Sequence, residues 1–300
     1  MELEYLDKCP VCKESHTKKT FIVCNDFTVS NEKFNLDECK SCGFVFTNPR
    51  PNAKTIGPYY NAESYISHTD SNKGLINKIY KNVRNITLKG KIDLINKYKS
   101  NKGRLLDIGT GTGYFISAAE NNGWKVTGVE PDDSARKQAK SKINGIINQD
   151  LFCCFDESDS FDTITMWHVL EHVHLLEESL EKINQIISPT GTLIVAVPNC
   201  ESYDAAYYKE YWAAYDVPRH LYHFKKADIN TLFARYGFEV VETKGMIFDS
   251  YYVSMLSEKY KNNGNSNLLT LFKAFMVGLK SNLNANGNNH SSLIYVLKKK

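Results

Sequence analysis

The 300-residue chain lacks any apolar run long enough to cross a bilayer. The longest run near its C-terminus, LLTLFKAFMVGL at 268–279, is short and carries Lys273. The opening MELEYLDKCP holds acids and no apolar core, so it does not read as a secretory leader, and the cytoplasm is the expected compartment. Charge of one sign is missing too: 37 Lys and Arg stand against 34 Asp and Glu, a net charge of +3. That balance argues against nucleic acid as a partner and gives no reason to expect a membrane. The closing Lys298-Lys299-Lys300 is expected as a solvated tail. No internal repeat is present, and no Gly-Lys-Ser/Thr closes a glycine loop, which excludes a P-loop nucleotide site. What remains is an ordinary globular composition, 42% hydrophobic and 24% charged, long enough for one or two domains built around a full α/β sheet.

Residues 104–113, RLLDIGTGTG, carry the most information. Glycine permits positive φ and lets the backbone come close to a ligand. Gly109, Gly111 and Gly113, following Leu105-Leu106-Asp107, therefore predict a strand-to-helix turn around a nucleoside-type ligand. A dinucleotide fingerprint, G-x-G-x-x-G, needs glycine where Tyr114 stands. The next apolar run, WKVTGVE, ends on Glu130. The pattern resembles motif I of the class I S-adenosylmethionine-dependent methyltransferases. The resemblance runs over residues 101 to about 245 and again over the last ten, SSLIYVLKKK. It implies that the glycine turn packs against the methionine part of S-adenosyl-L-methionine and that Asp107 helps to orient its ammonium. It further implies that Glu130 holds the ribose diol and that Asp150, in INQD, contacts the adenine amino group.

Two C-x-x-C pairs, Cys9-Pro-Val-Cys12 and Cys39-Lys-Ser-Cys42, use four of the eight cysteines. Two such turns facing each other place four thiolates at the corners of a tetrahedron, the arrangement of a structural zinc ion with no open position. Gly43 suits a tight knuckle, and the 26 intervening residues, longer than the usual spacer, contain the alternating Thr20-Phe21-Ile22-Val23 of a small hairpin. Two disulfides are the rival account, disfavoured in a cytosolic chain. A redox dithiol is disfavoured because two pairs are present and neither opens a thioredoxin-like unit. Cys24, Cys153, Cys154 and Cys200 have no ligand spacing and are expected as small buried hydrophobes.

Residues 1–50 accordingly read as a zinc-ribbon-like module. Residues 51–100 read as a linker, with Pro51, Pro58, Tyr59-Tyr60 and Tyr65, and N-terminal helices. In those helices Leu75, Ile76, Ile79, Tyr80, Val83, Ile86, Ile92, Ile95 and Tyr98 recur at helical spacing. Residues 101–300 read as the S-adenosylmethionine-binding methyltransferase domain. Strands at 104–108, 124–129, 146–148, 161–167 and 192–198 alternate there with helices at 113–122, 133–142 and 175–188, which argues for a parallel sheet. FEVVETKG at 238–245 and the terminal SSLIYVLKKK complete the strands, and the resemblance makes those two an antiparallel pair. About 45 residues separate them, far more than a hairpin needs. They include the helix-like LLTLFKAFMVGLKSNL, so 246–289 reads as an inserted helical lid. The expected fold class is α/β: a doubly wound, seven-stranded, Rossmann-like methyltransferase sheet with an N-terminal zinc ribbon and a helical lid insertion.

Ligands of such sheets gather at the carboxyl ends of the strands. After strand four the chain reads Trp167-His168-Val169-Leu170-Glu171-His172-Val173-His174, which resembles the "-LEH-" segment of small-molecule methyltransferases of the ubiquinone-biosynthesis type. The Asn/Asp-Pro-Pro-Tyr/Phe tetrapeptide of adenine and glutamine N-methyltransferases is absent. Residues 203–224 supply a candidate acceptor roof, with Tyr211 and Trp212 for a ring and Arg219 for a phosphate or carboxylate. The competing account has Tyr222 and Phe224 packing the following helix and Arg219 paired with Asp216. Methyl transfer from a sulfonium is an in-line displacement that also needs the acceptor's proton removed, a role suited to imidazole. His220 is the first candidate base and His168 the second, while His172 and His174 read as helix-start or surface residues. The expected activity is methylation of an O or C atom of a small-molecule acceptor, such as a nucleotide sugar or a phenol. Some C-methyltransferases of nucleotide-linked deoxysugars also carry an N-terminal zinc module, though they are longer. A zinc-containing RNA methyltransferase is the alternative, opposed by the near-neutral charge. A non-catalytic S-adenosylmethionine-binding interaction protein is opposed by the intact Asp107, glycine and Glu130 set, and a nicotinamide dehydrogenase by Tyr114.

Overall fold

Short aliphatic runs separated by amphipathic helices can bury themselves only as a sheet covered on both faces, and the chain does so. The computed structural model describes residues 2–15, 19–60, 75–156, 158–286 and 288–300, without the side chains of 75–80. Tyr65 and the side chains of Leu75, Ile76, Ile79 and Tyr80 lie outside the described residues. The first strands are β1 (Leu3–Glu4), β2 (Thr20–Asn25), β3 (Lys33–Glu38), β4 (Val45–Thr47) and β5 (Arg50–Pro51). One continuous helix, α1 (Leu75–Tyr98), replaces the several expected before the sheet, and Ile86 on it is exposed. There follow β6 (Arg104–Ile108), α2 (Tyr114–Asn121), β7 (Lys125–Val129), α3 (Asp133–Lys140) and β8 (Ile146–Asn148). Next come β9 (Phe161–Trp167), α4 (Leu176–Ile186), β10 (Ile187–Pro198) and α5 (Tyr203–Tyr208). The chain ends through β11 (Tyr222–His223), α6 (Lys226–Arg235), β12 (Phe238–Gly245), α7 (Asp249–Lys261), α8 (Leu268–Leu283) and β13 (Ser292–Lys299).

The main sheet has seven strands in the order β12-β13-β10-β9-β6-β7-β8. β8, β7, β6, β9 and β10 are parallel, and β13 runs antiparallel between β10 and β12. Successive side chains point to opposite faces, which splits each strand between two cores. Leu106, Ile164 and Val195 belong to one, and Leu105, Ile194 and Val296 to the other, where Ile92 and Ile95 of α1 cover them. β10 is buried from Gly191 to Pro198, as a central parallel strand must be.

The N-terminal strands form a second, four-stranded sheet, β11-β4-β3-β2, and its edge strand comes from far along the chain. Tyr222 pairs with Phe46 and His223 with Val45. β4 is buried at all three positions and needs a partner on its open side, which the 222–223 segment supplies. Phe44 packs against Phe224 with ring centroids 5.5 Å apart, and Lys225 Nζ donates to the Gly43 carbonyl at 2.6 Å.

α7 and α8 form an antiparallel pair inserted between β12 and β13, resting on α5 and residues 213–215. Asp204 of α5 ties the insertion down by accepting from Trp212 Nε1 (2.7 Å), Ser281 (2.6 Å) and Ser291 (2.7 Å). Two expectations are corrected here. Lys298 and Lys299 belong to β13, and Lys298 Nζ donates to Thr192 Oγ1 at 2.6 Å, so the terminus is not a free tail. Cys24 is buried and Cys200 half-buried, but Cys153 and Cys154 are exposed, because they follow the edge strand β8 in a surface turn. Among the described residues, no helix is long and apolar enough to cross a membrane.

Candidate active site

The cofactor end starts from a strand that cannot continue as a strand. After Ile108 the chain turns back on itself, with Gly109 N and Thr110 N both donating to Val129 O at 2.8 and 3.0 Å. Gly109 has φ +72, and a Cβ there would meet the Val169 side chain at 2.3 Å. Gly113, at φ +87, opens α2 with Ala139 Cα only 2.7 Å from where a Cβ would stand. Both positions need glycine on two counts, backbone and space. Gly111 has nothing within 4 Å of its missing side chain, so the middle of the turn faces open space.

The two acids flank that space. Asp107 is 2% exposed and its Oδ1 accepts from Thr165 Oγ1 at 2.6 Å. Burial pushes its carboxyl up to about 7, against the opposing pull of the Thr165 hydroxyl and of Lys91. Glu130 ends β7 and is held by two amides, Gly111 N at 2.6 Å and Asp132 N at 3.0 Å, which pins it beside the glycine turn. Burial raises its carboxyl as well. Asp150 lies at the corresponding end of β8 but is exposed, and its carboxylate accepts from Cys153 N at 3.2 Å. The sequence reading missed Lys91. This residue of α1 sits 4.2 Å over the Trp167 ring, where burial depresses its ammonium to about 8. Its position within the α1 stripe gave no sign of this.

The end of β9 carries the second group of polar residues. His168 adopts φ +57, its Nε2 lies 3.2 Å from Asp249 of α7 and its Nδ1 lies 3.4 Å from Glu171. Burial opposes charge on this ring, yet Asp249 and then Glu171 outweigh it and lift the imidazole to about 9. The two carboxylates favour the charged ring, which ties α7 to the end of β9 and leaves His168 poorly suited to take a proton. Glu171 is wholly buried and neither carboxylate oxygen accepts a hydrogen bond. Burial alone would raise its carboxyl, but His168 beside it holds it below the usual range.

His172 and His220 meet edge to face, ring centroids 4.6 Å apart. His172 Nδ1 lies 3.0 Å from Arg219 O, and His220 Nδ1 lies 2.8 Å from Ala214 O. A carbonyl only accepts, so each Nδ1 carries a proton. Tyr60 Oη also stands 3.0 Å from His172 Nδ1, and His220 Nε2 faces Asp216 Oδ2 at 3.9 Å. Burial, and then His220, push His172 down to about 4, so it stays neutral. The expected helix-start or surface role of His172 is corrected: it stands inside the cleft against His220.

The expected acceptor contacts are placed differently. Arg219 is 1% exposed, and its guanidinium grips Asp216 (2.7 and 3.1 Å), Asp26 (2.9 Å) and Tyr59 O (2.9 Å). It ties the N-terminal sheet to the 213–220 segment and is not presented to a ligand, a correction to its expected anion-holding role. Trp212 is likewise spent on Asp204 and on the core beneath the lid. Tyr211 stacks on Phe27 with centroids 5.8 Å apart. These residues build the roof's frame, and beside it His220, His172 and the buried Glu171 bring one polar atom each within 4.8 Å of the others.

The four expected cysteines converge. The Cys9 and Cys42 sulfurs are 3.6 Å apart and those of Cys12 and Cys39 3.7 Å apart, and all four ligand atoms lie within 4.8 Å of one another. Zinc–thiolate bonds of about 2.3 Å give tetrahedral edges of about 3.8 Å, which the two closest pairs match, so the donor set suits that ion.

A family model described as "Methyltransferase domain" matches residues 82–243, just over half of the chain. An uncharacterized methyltransferase of Alkaliphilus oremlandii is 30% identical over 119 residues, 39% of this chain and 54% of the relative. A ubiquinone biosynthesis O-methyltransferase of Rickettsia canadensis is 25% identical over 159 residues, 49% of this chain and 67% of the relative. A ubiquinone/menaquinone biosynthesis C-methyltransferase of Geotalea daltonii is 30% identical over 110 residues, 33% of this chain and 46% of the relative. The chain spans about half the length of most of these curated relatives. Among solved structures, magnesium protoporphyrin IX methyltransferase from Synechocystis, with bound SAH, aligns at TM-score 0.52. It is 16% identical and covers 81% of this chain and 97% of that one. A SAM-dependent methyltransferase from Archaeoglobus fulgidus aligns at 0.50 with 15% identity, over 76% of this chain and all of that one. Sheet order, glycine turn and the matched span agree: the chain belongs to the methyltransferase-domain family.

Proposed function

We propose that the chain moves a methyl group from S-adenosyl-L-methionine to an O or C atom of a small-molecule acceptor. The observation that carries this reading is the pairing of Glu130 with the Gly111 amide beside a turn open to solvent. A carboxylate so fixed is preorganised for the ribose diol, and buried Asp107 supplies the counter-charge for the ammonium of the cofactor. The chemistry of the group is a methyl held on a positive sulfonium, which needs only alignment and an ionised acceptor. The names of the ubiquinone-biosynthesis relatives, one O- and one C-directed, support the same acceptor atoms. Ionisation of the acceptor depends on His220, whose Nδ1 is taken up by Ala214 O, leaving Nε2, 3.9 Å from Asp216 Oδ2, as the ring atom that acts there. Zinc held by Cys9, Cys12, Cys39 and Cys42 is structural: every position is filled by a thiolate, so no reactant can reach it.

The test is a panel of phenols and nucleotide sugars incubated with methyl-labelled cofactor. His220→Ala should lower turnover about a hundredfold while cofactor affinity holds, the signature of a group acting only on the acceptor. Unchanged turnover would remove His220 from the reaction, and equal loss of cofactor binding would make its role structural.

A further inference from the structure

We propose that Glu171, His172 and His220 together bind a divalent first-row metal ion at the acceptor end of the cleft. One ligand atom from each residue lies within 4.8 Å of the others. Coordination bonds near 2.0–2.1 Å need separations of about 3 Å, so closing the set asks for shifts of an ångström or so. Both Nδ1 protons are engaged by main-chain carbonyls, of Arg219 and Ala214, the arrangement that fixes a coordinating imidazole.

Glu171 supplies the second, independent sign. Its side chain is fully buried, and neither oxygen receives a hydrogen bond, although His168 Nδ1 lies 3.4 Å from Oε1. A buried carboxylate in this condition is costly unless something completes it. His168, 3.4 Å from Oε1 and also held by Asp249, offsets part of that charge, and a cation between Glu171 and the two imidazoles would complete it. Two imidazoles and one carboxylate leave coordination positions open, unlike the closed four-thiolate set.

The inference rests on the proposed reaction and says how the acceptor is ionised. A hydroxyl of the acceptor bound to the ion loses its proton to solvent. An oxygen lone pair then forms the bond to the methyl carbon as the carbon–sulfur bond breaks, and the sulfonium electron pair returns to sulfur as a thioether. The ion acts as a Lewis acid and nothing is oxidised or reduced.

The experiment adds Co²⁺ to the full chain with its cysteine site loaded with zinc and follows visible absorption. The expected result is uptake of one further equivalent, with ligand-field bands and no thiolate charge-transfer band. His172→Ala and Glu171→Gln should lose that uptake while still binding S-adenosylhomocysteine, which shows that they are folded, and His174→Ala should keep it. No uptake by the unaltered chain, or uptake untouched in both variants, overturns the metal site. The function stands or falls separately. If cobalt is not taken up and His220→Ala still abolishes methyl transfer, His220 acts as a free base and only the ion is lost.

Discussion

The two ends of the cleft differ in where their parts come from. At the cofactor end, one decapeptide and the acid closing the next strand make the site, all within residues 104–130. At the acceptor end, His168, Glu171 and His172 come from the turn after β9, His220 from beyond α5, Asp249 from the lid, and Tyr60 Oη stands 3.0 Å from His172 Nδ1. Backbone strain and steric contact define the first end, so few sequences satisfy it and it serves one ligand. Long-range packing defines the second, so its specificity can change with loops while the sheet stays the same.

The largest effect that would sharpen this contrast is expected at Arg219. Removing its guanidinium in Arg219→Ala leaves buried Asp26 and half-buried Asp216 without their partner cation, a loss of about 3–5 kcal/mol in denaturant unfolding. A loss under about 1 kcal/mol would mean that the acceptor frame does not depend on the N-terminal sheet. Gly113→Ala comes next: a side chain at φ +87, 2.7 Å from Ala139 Cα, should cost about 1–3 kcal/mol and weaken cofactor binding with it. Equal stability would show the turn to be more pliant than its geometry says.

A smaller effect follows from Asp107. Its carboxyl titrates at about 7, because burial favours the neutral acid, while the ammonium of the cofactor pairs only with the carboxylate. Binding must therefore displace a proton below that value. Affinity should fall by about tenfold per pH unit as pH drops below 7 and level off above it. Asp107→Asn should flatten the profile, and a slope that survives the substitution would assign the proton elsewhere. The smallest effect is expected at Asp150, exposed and turned to its own loop: Asp150→Asn should change cofactor affinity by less than about threefold, near 0.6 kcal/mol.

Legibility in the sequence follows the same division. The strands at 146–148, 161–167 and 238–245 coincide with the elements formed, because apolar residues bounded by turn signals leave little choice of ends, even where, as at 146–148 and 238–245, most of the strand is not buried. The cysteine set was readable because ligand geometry survives as spacing. The partnership of β11 with β4 was not readable, since a two-residue strand has no period and its pairing is decided some 170 residues away. Arg219 looked like an anion holder because composition shows a charge but not its partners, and Asp26 lies in another sheet's turn. Glu171 stood in view in the "-LEH-" segment, yet only folding shows that its carboxylate is buried without a donor.

Calorimetric titration with S-adenosylhomocysteine tests most directly whether the glycine turn and Glu130 form a nucleoside site. One equivalent should bind with a dissociation constant of about 1–100 μM, a conventional range for such ligands. Glu130→Ala should lose at least about tenfold, near 1.4 kcal/mol, as a bidentate charged contact is removed. No binding to the unaltered chain, or equal binding by Glu130→Ala, would contradict the assignment of the site.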